Sequence, residues 1–551
     1  MSTGPSPLFV PLHPSPRLVA QMTGLSLEQS ELEVSQQHNL KRMLRRIRAS
    51  RQRAAPTSSP RGLRHLGTSI RKHMPSLTLP SAIIGDGKAG DRPAEDDSAD
   101  WLDEGKGSNE DDGLLLRKMD IIMDISDAPS SDVLRERVAD LFNRVFEPKP
   151  KIQAAHVDIR RLSGAMTNCV FMVAINPAPT VPSSSHHLSH VHKWTSSLRG
   201  KAGKPTSSHL LPTKYLLRVY GTGVDEFLSR EKELYWLSQL TSLGFGPRMY
   251  GIFGNGRLEE FLESTTLTKD DIRDPSTSKH IARRMCELHS LVSYYRPYAG
   301  STHQGRPADA ATMFAHVDTS GHPELWTNVD SWMKLVQKKW PRILQVCRGN
   351  AQCVEILDNW TKVEQAVAKL RRLVDGSSSP VVFAHDDLQY GNILRLTSTG
   401  ELVVVDFEYA GYNHRGFDIA NHFCEWMADY HHEFRPHLLN EDMYPVKQQR
   451  EGFLRTYVKA KAFLDANMKA DAGVVESDEG RVVLREITLS DERIAEEIER
   501  LEKEVEVFIP ASHFHWGVWG LLQACSSEID FDYVGYATQR LAIFLRQIKS
   551  M

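Results

Sequence analysis

Residues 381–392 read VVFAHDDLQYGN, and they are the most informative segment of this sequence. The four apolar residues predict a short buried strand. The polar loop behind them carries His385, Asp387 and Asn392 in the spacing H-x-D-x-x-x-x-N. A second apolar run at 402–405 leads into Asp406-Phe407-Glu408. Two neighbouring strands that both end in acidic loops predict a polar site at the strand ends.

This set of side chains suits phosphoryl transfer. That reaction needs one carboxylate to orient an acceptor hydroxyl and take its proton, and we assign this role to Asp387. It also needs oxygen ligands that hold Mg²⁺ against nucleotide phosphates, and Asn392 with Asp406 can supply them. The alternative is a surface loop in which Asp387 and Asn392 cap turns. The apolar strands and Asp406 at close spacing favour the catalytic interpretation.

The N-terminal half offers candidates for binding a nucleotide. The loop 161–168 joins two strand candidates, and its Ser163, Gly164 and Asn168 can place backbone N–H groups over phosphates. With a single glycine it is equally typical of an ordinary hairpin turn. Arg218 lies in an apolar strand where a kinase would place its phosphate-binding lysine, and Glu233 on the next helix is its candidate ion-pair partner. The alternative is a half-buried strand arginine with any nearby partner.

Composition excludes several classes of protein. Of the 551 residues, 40% are hydrophobic and 25% charged, and the net charge of −3 gives no reason to expect nucleic-acid binding. The six cysteines form no C-x-x-C pair, which argues against a disulfide framework or a zinc ribbon. No apolar run reaches the ~18 residues that span a bilayer, and no secretory signal is visible. We therefore expect a cytoplasmic protein.

The chain divides into three regions. Residues 1–113 predict a disordered arm, with eleven Lys or Arg and no acid in 41–72, and ten acids in 91–112. The arm is either a flexible tail or a peripheral membrane contact through its basic block. Residues 119–263 predict a β-rich lobe with a disordered insertion at 176–213. Residues 264–551 predict a helical lobe with an insertion around 466–510. The fold class is α+β with two lobes.

Together these residues resemble the choline kinase/ethanolamine kinase family, a branch of the kinase-like phosphotransferases. The most specific segment is 405–426, VDFEYAGYNHRGFDIANHFCEW, supported by 246–253 and 516–524. The resemblance implies a two-lobed protein-kinase-like fold, ATP and Mg²⁺ as cofactors, and choline or ethanolamine as the acceptor. Family members often form dimers, so a homodimer stays open beside a monomer.

The resemblance also implies roles for individual residues. Asp387 would be the base, Asn392 and Asp406 would lie at Mg²⁺, and Arg218 would lie near the ATP phosphates. The adenine would bond to backbone around Glu260 and Leu262. One position departs from the family pattern, because residue 386 is Asp where Asn is usual. That change predicts an added negative charge beside the base.

A choline site needs aromatic faces and diffuse negative charge, because a quaternary ammonium cannot donate a hydrogen bond. Six aromatic residues stand at matching family positions: Tyr409, Tyr430, Trp516, Trp519, Phe531 and Tyr536. Glu425 is the candidate counter-charge. Taken without the resemblance, Trp516 and Trp519 are three residues apart on a helix and typical of a packed core.

The expected reaction is transfer of the γ-phosphate of ATP to the choline hydroxyl, the first step from choline towards phosphatidylcholine. Three alternatives remain: an ethanolamine kinase, a pseudokinase-like scaffold, and a kinase of aminoglycoside antibiotics. The intact set of Asp387, Asn392 and Asp406 argues against the scaffold. The aromatic residues argue against a polycationic sugar, which calls for an acidic pocket.

Overall fold

The computed structural model describes residues 118–124, 131–162, 168–178, 180–182, 208–220, 229–243, 245–292, 322–468, 487–527 and 529–551. The predicted arm, 1–113, lies outside these described residues. Within them, a β-rich lobe precedes a mostly helical lobe, as the sequence predicts.

Eight strands lie in the N-terminal lobe: β1 (Lys118–Met119), β2 (Val157–Arg161), β3 (Asn168–Ile175), β4 (Thr180–Pro182), β5 (Ser208–Leu210), β6 (Lys214–Tyr220), β7 (Met249–Phe253) and β8 (Gly256–Glu260). Six of them form one sheet in the spatial order β1-β7-β8-β6-β3-β2. Only the β1–β7 pair in this sheet is parallel.

The two faces of this sheet have different tasks. In β6 the side chains of Tyr215, Leu217 and Val219 are buried, and they alternate with the less buried Arg218. The apolar face packs against helix α1 (Asp132–Phe146) in one hydrophobic cluster. Arg218 therefore projects from the opposite face.

The predicted disordered insertion at 176–213 needs correction at both ends. Strand β4 pairs antiparallel with β5, with Thr180 opposite Leu210 and Pro182 opposite Ser208. Strands of three residues are too short for an alternation of apolar and polar residues to be recognised in the sequence. Residues 183–207 lie outside the described part of the chain.

The C-terminal lobe contains five strands and most of the helices. The strands are β9 (Ser264–Thr266), β10 (Val381–Ala384), β11 (Ile393–Leu396), β12 (Leu402–Val404) and β13 (Gly411–His414). The helices are α3 (Lys269–Arg273), α4 (Pro275–Glu287), α5 (Glu324–Cys347), α6 (Ala351–Asp358), α7 (Trp360–Gly376), α8 (Arg415–Glu425), α9 (Lys447–Met468), α10 (Asp491–Ser526) and α11 (Tyr533–Ser550). Helix α2 (Arg230–Leu243) precedes them in the chain.

Helix α2 belongs to the core of the C-terminal lobe. Its Trp236 ring lies 4.5 Å from the ring of Phe383 in β10 and 5.4 Å from that of Tyr412 in β13, between centroids. Strands β10 and β13 pair antiparallel and carry the acidic loops at their ends. The helix thus packs directly on the strands that position the site.

The predicted insertion around 466–510, which is expected to end in a charged helical run from Asp491 to Glu506, needs correction in its second half. Residues 491–526 form one continuous helix, α10, which runs from the charged segment into the tryptophan segment. Its first half buries Ile494, Ile498, Leu501 and Val505 at helical spacing. The dense charges on the opposite face hide this stripe in the sequence. Among the described helices, none is long and apolar enough to cross a membrane.

Candidate active site

The loop after β10 brings Asp387 and Asn392 into contact. The Asn392 side-chain amide donates to Asp387 Oδ2 at 2.8 Å and to the Asp387 carbonyl at 2.9 Å. A short 3₁₀ turn, Tyr390–Asn392, makes this possible, because it folds the loop back towards its start. The predicted pair is assembled.

Asp406 joins the pair from the end of β12. The backbone N–H of Val405 donates to the Asn392 carbonyl at 3.0 Å and fixes the two loops together. Asp406 has a φ of 66°, a left-handed conformation that Asp tolerates better than most residues. Its Oδ1 is buried and has no hydrogen-bond partner among the described residues.

Two carboxyl groups of this site, Asp387 and Glu408, have raised pKa values. Burial raises the pKa of Asp387 well above its usual range, and the charges of Glu425, Asp406 and Glu408 raise it further. Burial and then the charge of Asp406 raise the pKa of Glu408 to about 8. Such a cluster favours a bound cation, and the unpaired Asp406 oxygen fits a hard-metal ligand. Asn392 and Asp406 are therefore suited to hold Mg²⁺.

Three arginines line the N-terminal side of the site. Arg218 Nη1 lies 3.6 Å from Asp406 Oδ2, and its Nε lies 3.9 Å from Glu259 Oε2. Arg218 is thus beside the predicted metal ligand, where a phosphate-binding cation is expected. Burial opposes its charge, but the negative charges of Asp406, Glu259 and Glu233 together outweigh burial, and the pKa of Arg218 is raised.

The predicted ion pair between Arg218 and Glu233 is wrong. Glu233 instead binds Arg257 Nη1 at 2.6 Å and Arg230 Nη1 at 2.9 Å. Arg257 stands directly opposite Arg218 on the neighbouring strand β8, so both side chains leave the sheet on the same face. Arg257 is the one that meets helix α2. Arg257 lies between apolar positions of a strand, and this placement was the signal in the sequence for a buried arginine with an acidic partner.

The nucleotide-binding predictions are reached only in part. Ser163 and Gly164, and the side chain of Asn168, lie outside the described residues. Glu260 ends β8, and Leu262 follows it in the short linker to β9. The Glu260 N–H donates to the Arg248 carbonyl at 2.8 Å. Adenine contact at this linker stays a prediction.

An aromatic wall continues from the catalytic loop. Trp519 Nε1 donates to the Tyr409 hydroxyl at 2.8 Å, and the rings of Tyr409 and Trp516 meet edge to face at 5.1 Å. Trp519 also lies 6.0 Å from Tyr536 and 5.7 Å from Tyr533, between centroids. Phe531 lies 5.8 Å from Tyr536. The structure thus brings the predicted aromatic residues together and adds Tyr533, which the sequence did not single out.

This wall adjoins the acidic site. Burial raises the pKa of Tyr409 well above its usual range, and the negative charges of Glu408 and Asp387 raise it further. Tyr430 lies on the same side, where its hydroxyl donates to Glu425 Oε2 at 2.7 Å. Both tryptophans are buried, so they serve as helix core and as wall at once.

Glu425, the predicted counter-charge, is paired with an arginine of the protein itself. Arg540 of α11 binds Glu425 Oε1 at 2.7 Å, and both side chains are buried. The Arg540 guanidinium also lies 5.1 Å from the centre of the Tyr536 ring. An arginine among apolar residues of α11 was the available signal for a buried acidic partner. The Glu425 carboxylate therefore lies in a buried ion pair with Arg540.

Helix α8 supports both halves of the site. Asp418 accepts the backbone N–H groups of His385 and Asp386 at 3.1 and 2.9 Å, so it holds the turn before Asp387. Asn421 donates to the Asp386 carbonyl at 3.1 Å and accepts Trp516 Nε1 at 2.7 Å. One asparagine thus connects the catalytic loop to the aromatic helix.

Comparison with known proteins identifies the family. A model of the Choline/ethanolamine kinase family matches residues 159–545, which is most of the chain. The chain belongs to the choline/ethanolamine kinase family. The predictions of this family, of a two-lobed kinase-like fold and of an ATP-dependent phosphotransferase are confirmed.

Curated relatives of the family span most of the same region. The chain is 31% identical to probable choline kinase 2 of Arabidopsis thaliana, covering 71% of this chain and 85% of the relative. It is 32% identical to the human choline/ethanolamine kinase, covering 61% and 73%. Among solved structures, choline kinase from Cryptosporidium parvum matches with 21% identity and a TM-score of 0.48, covering 75% of this chain and 95% of that one.

Proposed function

We propose that this family member transfers the γ-phosphate of ATP to the hydroxyl of choline. The observation that carries the proposal is that the aromatic wall adjoins the acidic loop. Tyr409 connects them, because it follows Glu408 in the chain and accepts a hydrogen bond from Trp519 Nε1. Tyr409 lies close enough to Asp387 for the charge of Asp387 to raise its pKa, so a trimethylammonium group held by the rings would leave its hydroxyl near the base.

The residues divide the work of the reaction. Asp387 orients the choline hydroxyl and takes its proton as the oxygen attacks the γ-phosphorus and ADP leaves. The raised pKa of Asp387 makes it a stronger base than an exposed aspartate. Arg218 neutralises charge on the phosphates. Asn392 and Asp406 are the residues that would hold Mg²⁺, which neutralises charge on the ATP phosphates when bound.

Ethanolamine is the second candidate substrate. Its primary ammonium donates hydrogen bonds, and Glu425 with Tyr430 offers acceptors at the same wall. The human relative is named for both activities. A pseudokinase-like scaffold would not need a complete catalytic set. The chain has one, because Asp387, Asn392 and Asp406 are present and lie together.

One assay tests the proposal. The purified full chain is given ATP and Mg²⁺ with choline, ethanolamine or an aminoglycoside, and product is followed by phosphorus NMR. We expect the highest kcat/KM for choline and no product from the aminoglycoside. A higher kcat/KM for ethanolamine would transfer the assignment to ethanolamine kinase, and absence of both products would contradict the proposal.

A further inference from the structure

Asp386, the residue before the base, is held in an unusual backbone conformation. Its φ is 63°, and its side chain is only 2% exposed. The backbone is fixed at both ends, because Asp418 Oδ1 accepts the Asp386 N–H and Asn421 donates to the Asp386 carbonyl. The direction in which Asp387 leaves this turn therefore depends on how well Asp386 is anchored.

The side chain of Asp386 makes one hydrogen bond. Asn413 Nδ2 donates to Asp386 Oδ2 at 2.9 Å. The Asn413 oxygen accepts backbone N–H groups from Leu325 and His414, so its NH₂ group is the end that faces Asp386. Asp386 Oδ1 is buried without a hydrogen-bond partner in the described part of the chain.

Among the described residues, no cation is paired directly with Asp386, and the charge of Lys232 opposes only part of the effect of burial and of the neighbouring acids. The charged groups that face it are Asp418 of α8, Glu324 of α5 and Lys232 of α2. Lys232 is already committed, with its Nζ 2.5 Å from Glu324 Oε2. The imidazole of His385 on the same loop bonds elsewhere, to the Val405 carbonyl and the Asp387 N–H.

Two buried carboxyl groups thus share one small region, and their surroundings differ. Asp418 accepts two backbone N–H groups and contacts His289 Nε2 at 2.8 Å. Burial opposes the charge of Asp418, but its interactions with His289 and His385 together outweigh burial, and the pKa of Asp418 is lowered. Burial and then the charge of Asp418 raise the pKa of Asp386 well above its usual range. Of the two, Asp418 keeps the negative charge.

We propose that Asp386 is a positioning residue that acts as a neutral carboxylic acid, anchoring the turn that presents Asp387 without adding charge beside it. The proton lies on Oδ1, because Oδ2 is occupied by the Asn413 donor. The expected negative charge next to the base is therefore absent, although the sequence predicts it. In agreement, the charges that raise the pKa of Asp387 come from Glu425, Asp406 and Glu408.

The first test measures protonation without substrate. Urea unfolding of the full chain is compared between the parent and Asp386→Asn from pH 5 to pH 8. An unfolded aspartate loses its proton above pH ~4, whereas folded Asp386 keeps it, so rising pH favours unfolding of the parent relative to Asp386→Asn. The unfolding equilibrium constant of the parent, divided by that of Asp386→Asn, should rise with pH by up to about tenfold per pH unit.

The matched control is the exposed Asp375. The unfolding equilibrium constant of the parent, divided by that of Asp375→Asn, should not depend on pH, because solvent surrounds the Asp375 side chain in the folded and the unfolded chain. A ratio for Asp386→Asn that is equally independent of pH would overturn the neutral acid.

The second test measures positioning. Asp386→Gly accepts the positive φ but loses the anchor, and we expect kcat to fall about 10²-fold, the cost of a misplaced catalytic group, with little change in KM for choline. The conservative variant Asp386→Asn should restore kcat to within a few-fold of the parent. Equal kcat values for parent and Gly variant, or an Asn variant as slow as Gly, would overturn the positioning role.

This inference rests on the proposed phosphotransfer at Asp387, but the two can fail separately. The unfolding ratio reports the Asp386 proton whatever the substrate is. A parent that is inactive on choline and ethanolamine would contradict the proposed function and leave the unfolding result valid.

Discussion

Buried charge pairs govern what single substitutions do to this protein. Glu425 and Arg540 are both buried in the C-terminal lobe, whereas Glu441 and Arg546 form an exposed ion pair, and both arginines belong to helix α11. Removing one member of a buried pair leaves the other charge without compensation in a medium of low polarity. The two pairs therefore make a matched comparison.

Glu425→Ala should lower the free energy of unfolding by about 3–5 kcal/mol, because Arg540 stays buried without its partner. Glu441→Ala should change it by about 0–1 kcal/mol. Urea unfolding at pH 7 measures both. Equal small losses would show that Arg540 does not depend on Glu425, and the substitution would then report on substrate binding alone.

Trp519 tests the aromatic wall. A ring beside the trimethylammonium group contributes about 0.5–2 kcal/mol of cation–π attraction, so Trp519→Leu should raise KM for choline more than KM for ethanolamine. Trp360 is the control, because it is 9% exposed against 8% for Trp519 and lies in α7, outside the wall. Trp360→Leu should lower the melting temperature without changing the ratio of the two KM values. A proportional rise of both KM values in Trp519→Leu would favour a purely structural tryptophan.

The sequence predicts local contacts of the site well and distant ones poorly. Asp387 and Asn392 are five residues apart, so their loop nearly determines their contact. Arg257 meets Glu233 across 24 residues, and Arg540 meets Glu425 across 115. Several acids compete for each arginine in the sequence, and only the tertiary packing chooses among them.

At the scale of elements, helix α10 carries both the charged segment and the aromatic wall. Ion pairs such as Arg493–Glu497 and Lys503–Glu499 stabilise its exposed face, while the opposite face packs in the core. The sequence predicts a charged helical run from Asp491 to Glu506 but assigns it to an insertion, whereas the helix continues to Ser526 and packs in the core. The sequence does not predict strands β4 and β5, because three residues are too few to show the alternation of a strand.

His515 of α10 should make stability depend on pH. Both ring nitrogens lack a hydrogen-bond partner in the described ranges, and rings of Trp332, Phe417 and Trp516 surround it. Burial and then the charge of Arg540 lower the pKa of His515 to about 3. The unfolded chain therefore binds a proton below pH ~6.5 that the folded chain does not bind until about pH 3, and stability is lost as pH falls.

As pH falls from 7 to 5, the free energy of unfolding of the parent should decrease by about 2 kcal/mol more than that of His515→Phe. Urea unfolding at the two pH values measures the difference. His432→Gln, a substitution of an exposed histidine, should show far less dependence on pH. If the free energies of unfolding of the parent and of His515→Phe differed by the same amount at both pH values, His515 would be protonated readily in the folded protein.

At the scale of the whole molecule, the site residues that the structure assembles lie between Arg218 and Arg540. Deleting residues 1–110 should therefore leave kcat/KM for choline within about twofold of the full chain, because an arm of that composition adds no packed core. A longer deletion, of residues 1–123, provides the control. It also removes β1 and the buried Met123, whose backbone N–H donates to the Asn255 side chain at 2.9 Å, and should lower the melting temperature. Loss of activity in the shorter deletion would show that the arm belongs to the fold.

Phosphocholine formation by Asp387→Asn, compared with the parent, tests the account most directly. The substitution keeps the shape of the side chain and removes the base. We predict that kcat falls about 10²–10⁴-fold while KM for choline changes little, and that the exposed control Asp375→Asn behaves as the parent. A kcat for Asp387→Asn within a few-fold of the parent would contradict Asp387 as the base and, with it, the arrangement of the site proposed for this chain.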